Sequence, residues 1–263
     1  MGLNPHIQGG IRFRLGLVLA AFATAAALLV NAPRMDAVTK SKVEDRLDNS
    51  ALVVKEAMGI HSQIPKDLLQ KAYCVIVIPS VMKGAFIFGG SYGRGVMSCR
   101  NGNDLKSPWS APTMMALEGG SFGLQAGGAA TDFVLLVMNE RGARSILGGK
   151  GKIGGDITGC AGPVGRSAQA NLDIYLRTSI LTYSRARGLF GGLDLEGSTL
   201  RPDNGANEKL YGKKVSAKDI VLKNAEPTPV AAQRLISTLT EYGQKASPEK
   251  AAELPSASPS TSH

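Results

Sequence analysis

The run Tyr183-Ser184-Arg185-Ala186-Arg187-Gly188-Leu189-Phe190-Gly191-Gly192-Leu193-Asp194-Leu195-Glu196-Gly197 sets two guanidinium groups two residues apart. An aromatic residue among glycines and an alternating Leu193/Leu195 pair follow. Alternation of apolar and polar residues is the period of a half-buried strand, so the arginines are expected in or beside a turn that enters a sheet. Guanidinium forks match phosphate geometry, which makes Arg185 and Arg187 candidates for holding an anion. The competing reading is a solvated loop corner. If the arginines are structural, Asp194 and Glu196 are the expected partners.

The same grammar extends outward. Of 32 glycines, 24 fall between Gly84 and Gly197, where they break up short runs of strand-forming residues. The runs are Val75-Ile76-Val77-Ile78, Ala85-Phe86-Ile87-Phe88, Asp132 to Met138 and Ile174-Tyr175-Leu176. Short strands at about ten-residue intervals with glycine turns indicate an antiparallel sheet. One helix is expected at Glu140–Leu147, with Asn139 as its N-cap. The fold class is therefore α+β. An antiparallel core between Tyr73 and Leu200, either a sandwich or a partly closed barrel, is flanked by N- and C-terminal helices.

The flanks carry helical periodicity. Val43, Leu47, Val54 and Met58 recur at helical spacing within Val38–Ile60, opposite a polar face with four charges of each sign. A short helix is expected from Pro65, since proline suits a first turn. Ser216–Leu222 and Val230–Tyr242 follow at the far end. Residues 244–263 reduce to Ala, Ser, Pro and charge and are expected to be disordered. At the other extreme, Arg12 and Arg14 precede the uncharged run Leu15–Val30. A basic segment before an apolar one reads as a secretory signal, here over residues 1–32, with an uncleaved anchor as the alternative. Export places the folded part in the periplasm or at the inner membrane.

The formal charge is +9; without the leader arginines, 28 basic residues face 21 acidic ones, a charge of +7. Such a field favours anionic partners. Nucleic acid is not expected, because the sheet runs lack the interleaved exposed aromatics on which bases stack. Enzyme chemistry has no visible machinery. G-x-S-x-G occurs through Ser91 and Ser121, but the chain's histidines are His6, His61 and His263, none placed to serve as the base a nucleophile elbow requires. A Ser91–Lys83 pair is the residual arrangement. G-x-G-x-x-G at Gly149–Gly154 follows a helix instead of a strand, the wrong order for a dinucleotide site. No cofactor and no metal site are expected. Cys74, Cys99 and Cys160 sit in small apolar surroundings, where buried free thiols are the default. A Cys74–Cys99 bridge is the alternative in an oxidising compartment.

Several motifs together carry a resemblance: the arginine-glycine run above, Trp109-Ser110-Ala111-Pro112, Gly123-Leu124-Gln125-Ala126-Gly127 and Ala161-Gly162-Pro163-Val164-Gly165-Arg166. In this order they resemble the SYLF (Ysc84) domain, over residues 38–222, with residues 223–243 as an added helix. The resemblance implies a non-enzymatic protein that binds anionic membrane lipids, phosphoinositides in particular, partly through a cationic N-terminal helix. The balanced polar face of Val38–Ile60 departs from that pattern. The basic contribution is therefore expected from the core, through Arg185, Arg187, Arg166, Lys83 and Arg94. Anionic phospholipid or the membrane surface is the expected partner. The alternative is a structural or protein-interaction module of the cell envelope that binds other envelope proteins.

Overall fold

The computed structural model describes residues 41–59, 64–84, 90–100, 105, 107–120, 131–149, 151–164, 175, 177–186, 189–192 and 195–243. Helix α1 (Lys42–Ala57) begins at a capping box: the Ser41 hydroxyl accepts from the Glu44 N–H while the Glu44 carboxylate accepts from the Ser41 N–H. That exchange satisfies two donors that a helix start leaves open. Its apolar stripe of Val43, Leu47, Val54 and Met58 is buried, as the spacing predicts. Helix α2 (Lys66–Lys71) follows Pro65.

Among the described residues, nine strands then form one curled, mostly antiparallel sheet. They are β1 (Cys74–Gly84), β2 (Gly90–Cys99), β3 (Thr113–Gly120), β4 (Thr131–Val137), β5 (Gly151–Lys152), β6 (Gly159–Ala161), β7 (Ile180–Ala186), β8 (Leu189–Gly192) and β9 (Thr199–Pro202). The order is β5-β9-β3-β2-β1-β4-β7-β6, and β8 pairs with β7 beyond the short parallel β6. The described strands thus make an open half-barrel, not two stacked sheets. Helix α3 (Glu140–Leu147), capped by Asn139 as expected, α4 (Asn204–Tyr211), α5 (Ala217–Lys223), a 3-10 turn (Val230–Ala232) and α6 (Gln233–Gly243) complete the fold.

The central strands are apolar on both faces because helices cover both. Val75, Val77, Val134 and Leu136 pack with α1, α2 and α6. Their neighbours Ile76, Ile78, Phe133 and Leu135 pack with Ala143 and Ile146 of α3 and Ile220 and Val221 of α5. The continuous runs 75–78 and 133–138 are the sequence trace of this double burial. Curvature has a local cause. The pairing of β1 shifts register between Val77 and Met82, where Ser80 adopts φ 54°. A bulge of this kind bends its strand and increases the twist. Opposite it, a Cβ on Gly95 would lie 2.0 Å from the Val77 carbonyl oxygen, so only glycine lets the kinked strands touch.

Several expectations need correction. Cys74 and Cys99 are register partners on β1 and β2, and they form a disulfide instead of lying free; Cys160 remains a thiol. Tyr175 is helical, not part of a strand. Leu195 is buried but lies between β8 and β9, outside any strand. Ser91 sits within β2, opposite Lys83 of β1, not at the strand-to-helix turn of a nucleophile elbow. The leader, the run 85–88, Ser121 and the tail 244–263 lie outside the described residues. Among the described residues no helix is long and apolar enough to cross a membrane.

The closing helix is held by an unusual anchor. Arg100, only 4% exposed, donates to the carbonyls of Gln70, Leu105 and Gly243, each at 3.0 Å. Its guanidinium lies 4.1 Å from the Trp109 ring centre, and the Trp109 indole N–H donates to the Leu239 carbonyl. The carbonyl ends of α2 and α6 thus meet one cation, which the helix dipole favours. A Cβ on Gly243 would lie 2.3 Å from a guanidinium nitrogen, so glycine is what allows the approach.

Candidate functional site

The alternation of β2 places Tyr92, Arg94 and Val96 on one face, the face covered by α1. Arg94 donates to the Tyr92 hydroxyl, its guanidinium lies 5.6 Å from that ring centre, and half of its side chain is exposed. Its Nε lies 3.7 Å from Oδ2 of Asp203. From the opposite side Arg46 of α1 brings Nη1 to 3.8 Å from the same oxygen. Asp203 itself is committed at its other oxygen, where it caps α4 by accepting from the Ala206 N–H.

This triad is incompletely bonded. Separations of 3.7–3.8 Å exceed a hydrogen bond, and both Arg46 Nη1 and Asp203 Oδ2 are buried without a hydrogen-bond partner. Burial pulls the Arg46 guanidinium below the usual arginine range, opposed by the Asp203 charge. Arg94 is pushed upward, first by its hydrogen bond to Tyr92 and then by Asp203.

The triad borders a cleft of about 810 Å³ between the first turns of α1, the start of α4 and the 3-10 turn. Among the described residues its charged lining is four basic side chains, Lys42, Arg46, Arg94 and Lys209, against Glu44 and Asp203. The N-terminus of α1 adds positive potential. Its apolar lining includes Val43, Leu210 and Val230, the last 82% exposed. A depression shared with Lys42, Arg46 and Arg94 continues past Tyr92 and Ser80. Chemically, the arrangement can bind an anion and has no nucleophile paired with a base.

Of the five basic residues expected at a site, Arg94 alone reaches this cleft among those whose side chains are described. Arg185 lies in β7, separated from β2 by β1 and β4. Strand spacing of about 4.8 Å puts roughly 14 Å between the two strands. It is half-buried and engaged with two carboxylates, Glu56 of α1 and, at 3.5 Å, Asp132 of β4. Asp132 in turn accepts from the Ser80 N–H at the bulge. Among the described residues its ion-pair partners are Glu56 and Asp132, because β7 runs beside β4 and under α1; Asp194 lies outside the described residues. Arg166 and Arg187 lie outside the described residues, and Lys83 is placed in β1 by its backbone alone. Sequence reasoning missed Arg46, Lys42 and Lys209. Arg46 belongs to the charge-balanced face of α1 and looked solvated; only the fold turns it inward.

Comparison with known proteins gives a consistent picture. Residues 118–242 match the family described as Ysc84, Las17-binding protein actin regulator. The chain is 32% identical over 205 residues to Protein YSC84 of Saccharomyces cerevisiae, covering 76% of this chain and 42% of that one. It is 34% identical over 178 residues to LAS seventeen-binding protein 3 of the same species, 66% of this chain and 38% of that one. It is 28% identical over 212 residues to human SH3 domain-containing YSC84-like protein 1, 78% of this chain and 60% of that one. The chain therefore spans less than two thirds of the length of these relatives. No solved structure matches significantly.

Proposed function

The chain carries a SYLF, or Ysc84, domain, and on that premise we propose that it is a non-enzymatic protein of the cell envelope whose basic face binds anionic phospholipid head groups. The observation that carries this reading is the cleft with four basic side chains and a buried guanidinium nitrogen left without an acceptor. Arg94, half exposed at its edge, is the residue placed to meet a head group first. Arg185, already opposed by two carboxylates, contributes less. Arg166, Arg187 and Lys83 remain the other basic candidates of this proposal. Export is supported by the basic-then-apolar leader and by the Cys74–Cys99 disulfide, a bond that persists in oxidising compartments.

A protein-interaction role is the second reading, favoured by relatives whose names record Las17 binding. Cosedimentation with anionic and neutral liposomes separates the two. Lipid binding requires pelleting with anionic vesicles at low salt, loss at high salt through screening, and none with neutral vesicles. Absence of pelleting, or pelleting indifferent to salt and charge, refutes it and leaves the interaction module.

A further inference from the structure

We infer that the Cys74–Cys99 bridge is a redox latch for helix α6: a dithiol reductant that opens the bridge frees the Arg100 anchor and releases the end of the helix. The latch lies at the far end of β2 from Tyr92 and stands apart from the lipid reading.

Position makes the connection. Cys74 opens β1 and Cys99 closes β2, as register partners. One residue outward, the Arg100 N–H donates to the Tyr73 carbonyl at 2.9 Å, and Arg100 pairs with Trp109 in an isolated bridge. The Cys99 carbonyl accepts from the Ser110 N–H at 2.8 Å, and the Cys99 N–H donates to the Ser110 hydroxyl at 3.1 Å. Arg100 and Trp109, whose side chains donate to α6, thus hang from backbone that the bridge pins. Alternation along a strand puts successive side chains on opposite faces. Cys74 and Cys99 accordingly pack in one core layer and Trp109 in the other, so the coupling runs through the backbone.

The anchor itself has two states. Arg100 is buried and, among the described residues, no carboxylate faces its charge; three carbonyls hold it. A buried cation is tolerated while its hydrogen bonds are complete, and leaves for water once they are not. Fraying of the strand end therefore releases the anchor instead of weakening it in proportion. Release uncovers Leu235 and Leu239, both buried under the closed helix, and the side of α1 against which α6 packs.

The chemistry is thiol–disulfide exchange. Cys74 and Cys99 are both 0% exposed, so a reductant reaches the bridge once the strand end opens, the same opening that frees Arg100. One thiolate of the dithiol attacks a bridge sulfur and displaces the other cysteine as a thiolate. The second thiol then closes the reductant's own disulfide and displaces the first cysteine. Two electrons pass to the protein, the dithiol leaves oxidised, and its two protons end on Cys74 and Cys99. Linkage makes the coupling reciprocal: whatever loosens the anchor also exposes the bridge.

The test follows native-state hydrogen exchange of the full chain before and after treatment with dithiothreitol, with the mass of the two added hydrogens confirming reduction. Amides of α6 are expected to exchange about tenfold faster after reduction, the equivalent of one charge-assisted hydrogen bond. Helices α3 and α5, on the other sheet face, are expected to keep their rates. In the reverse arm, dithiothreitol is expected to reduce the bridge of Arg100→Lys about tenfold faster than that of the parent. Phe190→Ala, at the sheet margin, serves as a control for lost stability and is expected to change the reduction rate less.

Unchanged α6 exchange in the reduced protein overturns the inference. So does an equal acceleration of α3, α5 and α6, which makes the bridge a general staple. Where reduction unfolds the chain outright, the reverse arm decides. An Arg100→Lys bridge reduced at the parent's rate, or no faster than that of a Phe190→Ala variant with the same Tm, refutes the coupling; selective acceleration supports it.

Discussion

Replacing Arg100 by methionine removes the cation that joins the ends of α2 and α6 while keeping an apolar stem over Trp109. Three hydrogen bonds from a charged donor contribute about 1.5–3 kcal/mol each. Against them stands the cost of burying the charge. Burial pulls the Arg100 guanidinium down to about 10, well below the ordinary arginine range, equivalent to roughly 3 kcal/mol at 1.36 kcal/mol per unit. The difference leaves a net loss of about 3 kcal/mol, with a range of roughly 1–6. For a chain of this size each kcal/mol lowers Tm by about 2–4 °C, so a drop of about 6–12 °C is expected in calorimetry. Native-state hydrogen exchange is expected to localise the effect to α6, whose Leu239 and Gly243 carbonyls receive Trp109 and Arg100. Arg100→Lys is expected to be little better, because a single ammonium cannot span three carbonyls in a planar fork. A methionine variant within 0.5 kcal/mol of the parent, with α6 exchanging as before, refutes the anchor. It would mean that Leu235 and Leu239 hold the helix by packing alone.

Two further outcomes follow from the sheet. Cys74→Ala with Cys99→Ala opens a loop with a sequence separation of 25 and is expected to cost roughly 3–4 kcal/mol on chain-entropy grounds. Thiol titration of the unfolded, unreduced protein should find the single free Cys160, and three thiols would refute the bridge. Glu118 hydrogen-bonds Arg201 across β3 and β9, which holds its carboxyl below the usual range. A depressed carboxyl contributes stability above its unfolded value of 4.5 and loses it as pH falls through the folded value. Glu118→Gln is therefore expected to be less stable than the parent at neutral pH and to converge with it as pH falls through the folded carboxyl's depressed value. A gap that persists into acid assigns the difference to something other than this pair.

What the sequence made legible was local. Asn139 three residues before Gly142 and the apolar runs 75–78 and 133–138 signal their structure within a few residues. Helix α4 was equally marked, by the Asp203 cap and by Gly212 at φ 69° past its end, and went unread because its apolar stripe is weak. The rest depended on register and topology. Nothing near Cys74 announces Cys99 until β1 and β2 are paired. Arg185 reads as a loop cation until β4 brings Asp132 and α1 brings Glu56 beside it. Arg46 reads as one charge among eight on a neutral helix face until β2 and the Asp203 cap close over it. Periodicity reports which face of an element is apolar; it does not report which polar residues a second element will cover.

The ends of the sheet carry a consequence for assembly. On one side the described sheet finishes at β5, two residues long; on the other, β7 is flanked by β6 and β8, three and four residues long. Long open edges invite strand addition by another chain, and very short ones discourage it. Among the described residues, neither margin offers the long ladder of free backbone groups that a docking β-strand or a growing fibril requires. Strand addition at these two margins is therefore discouraged.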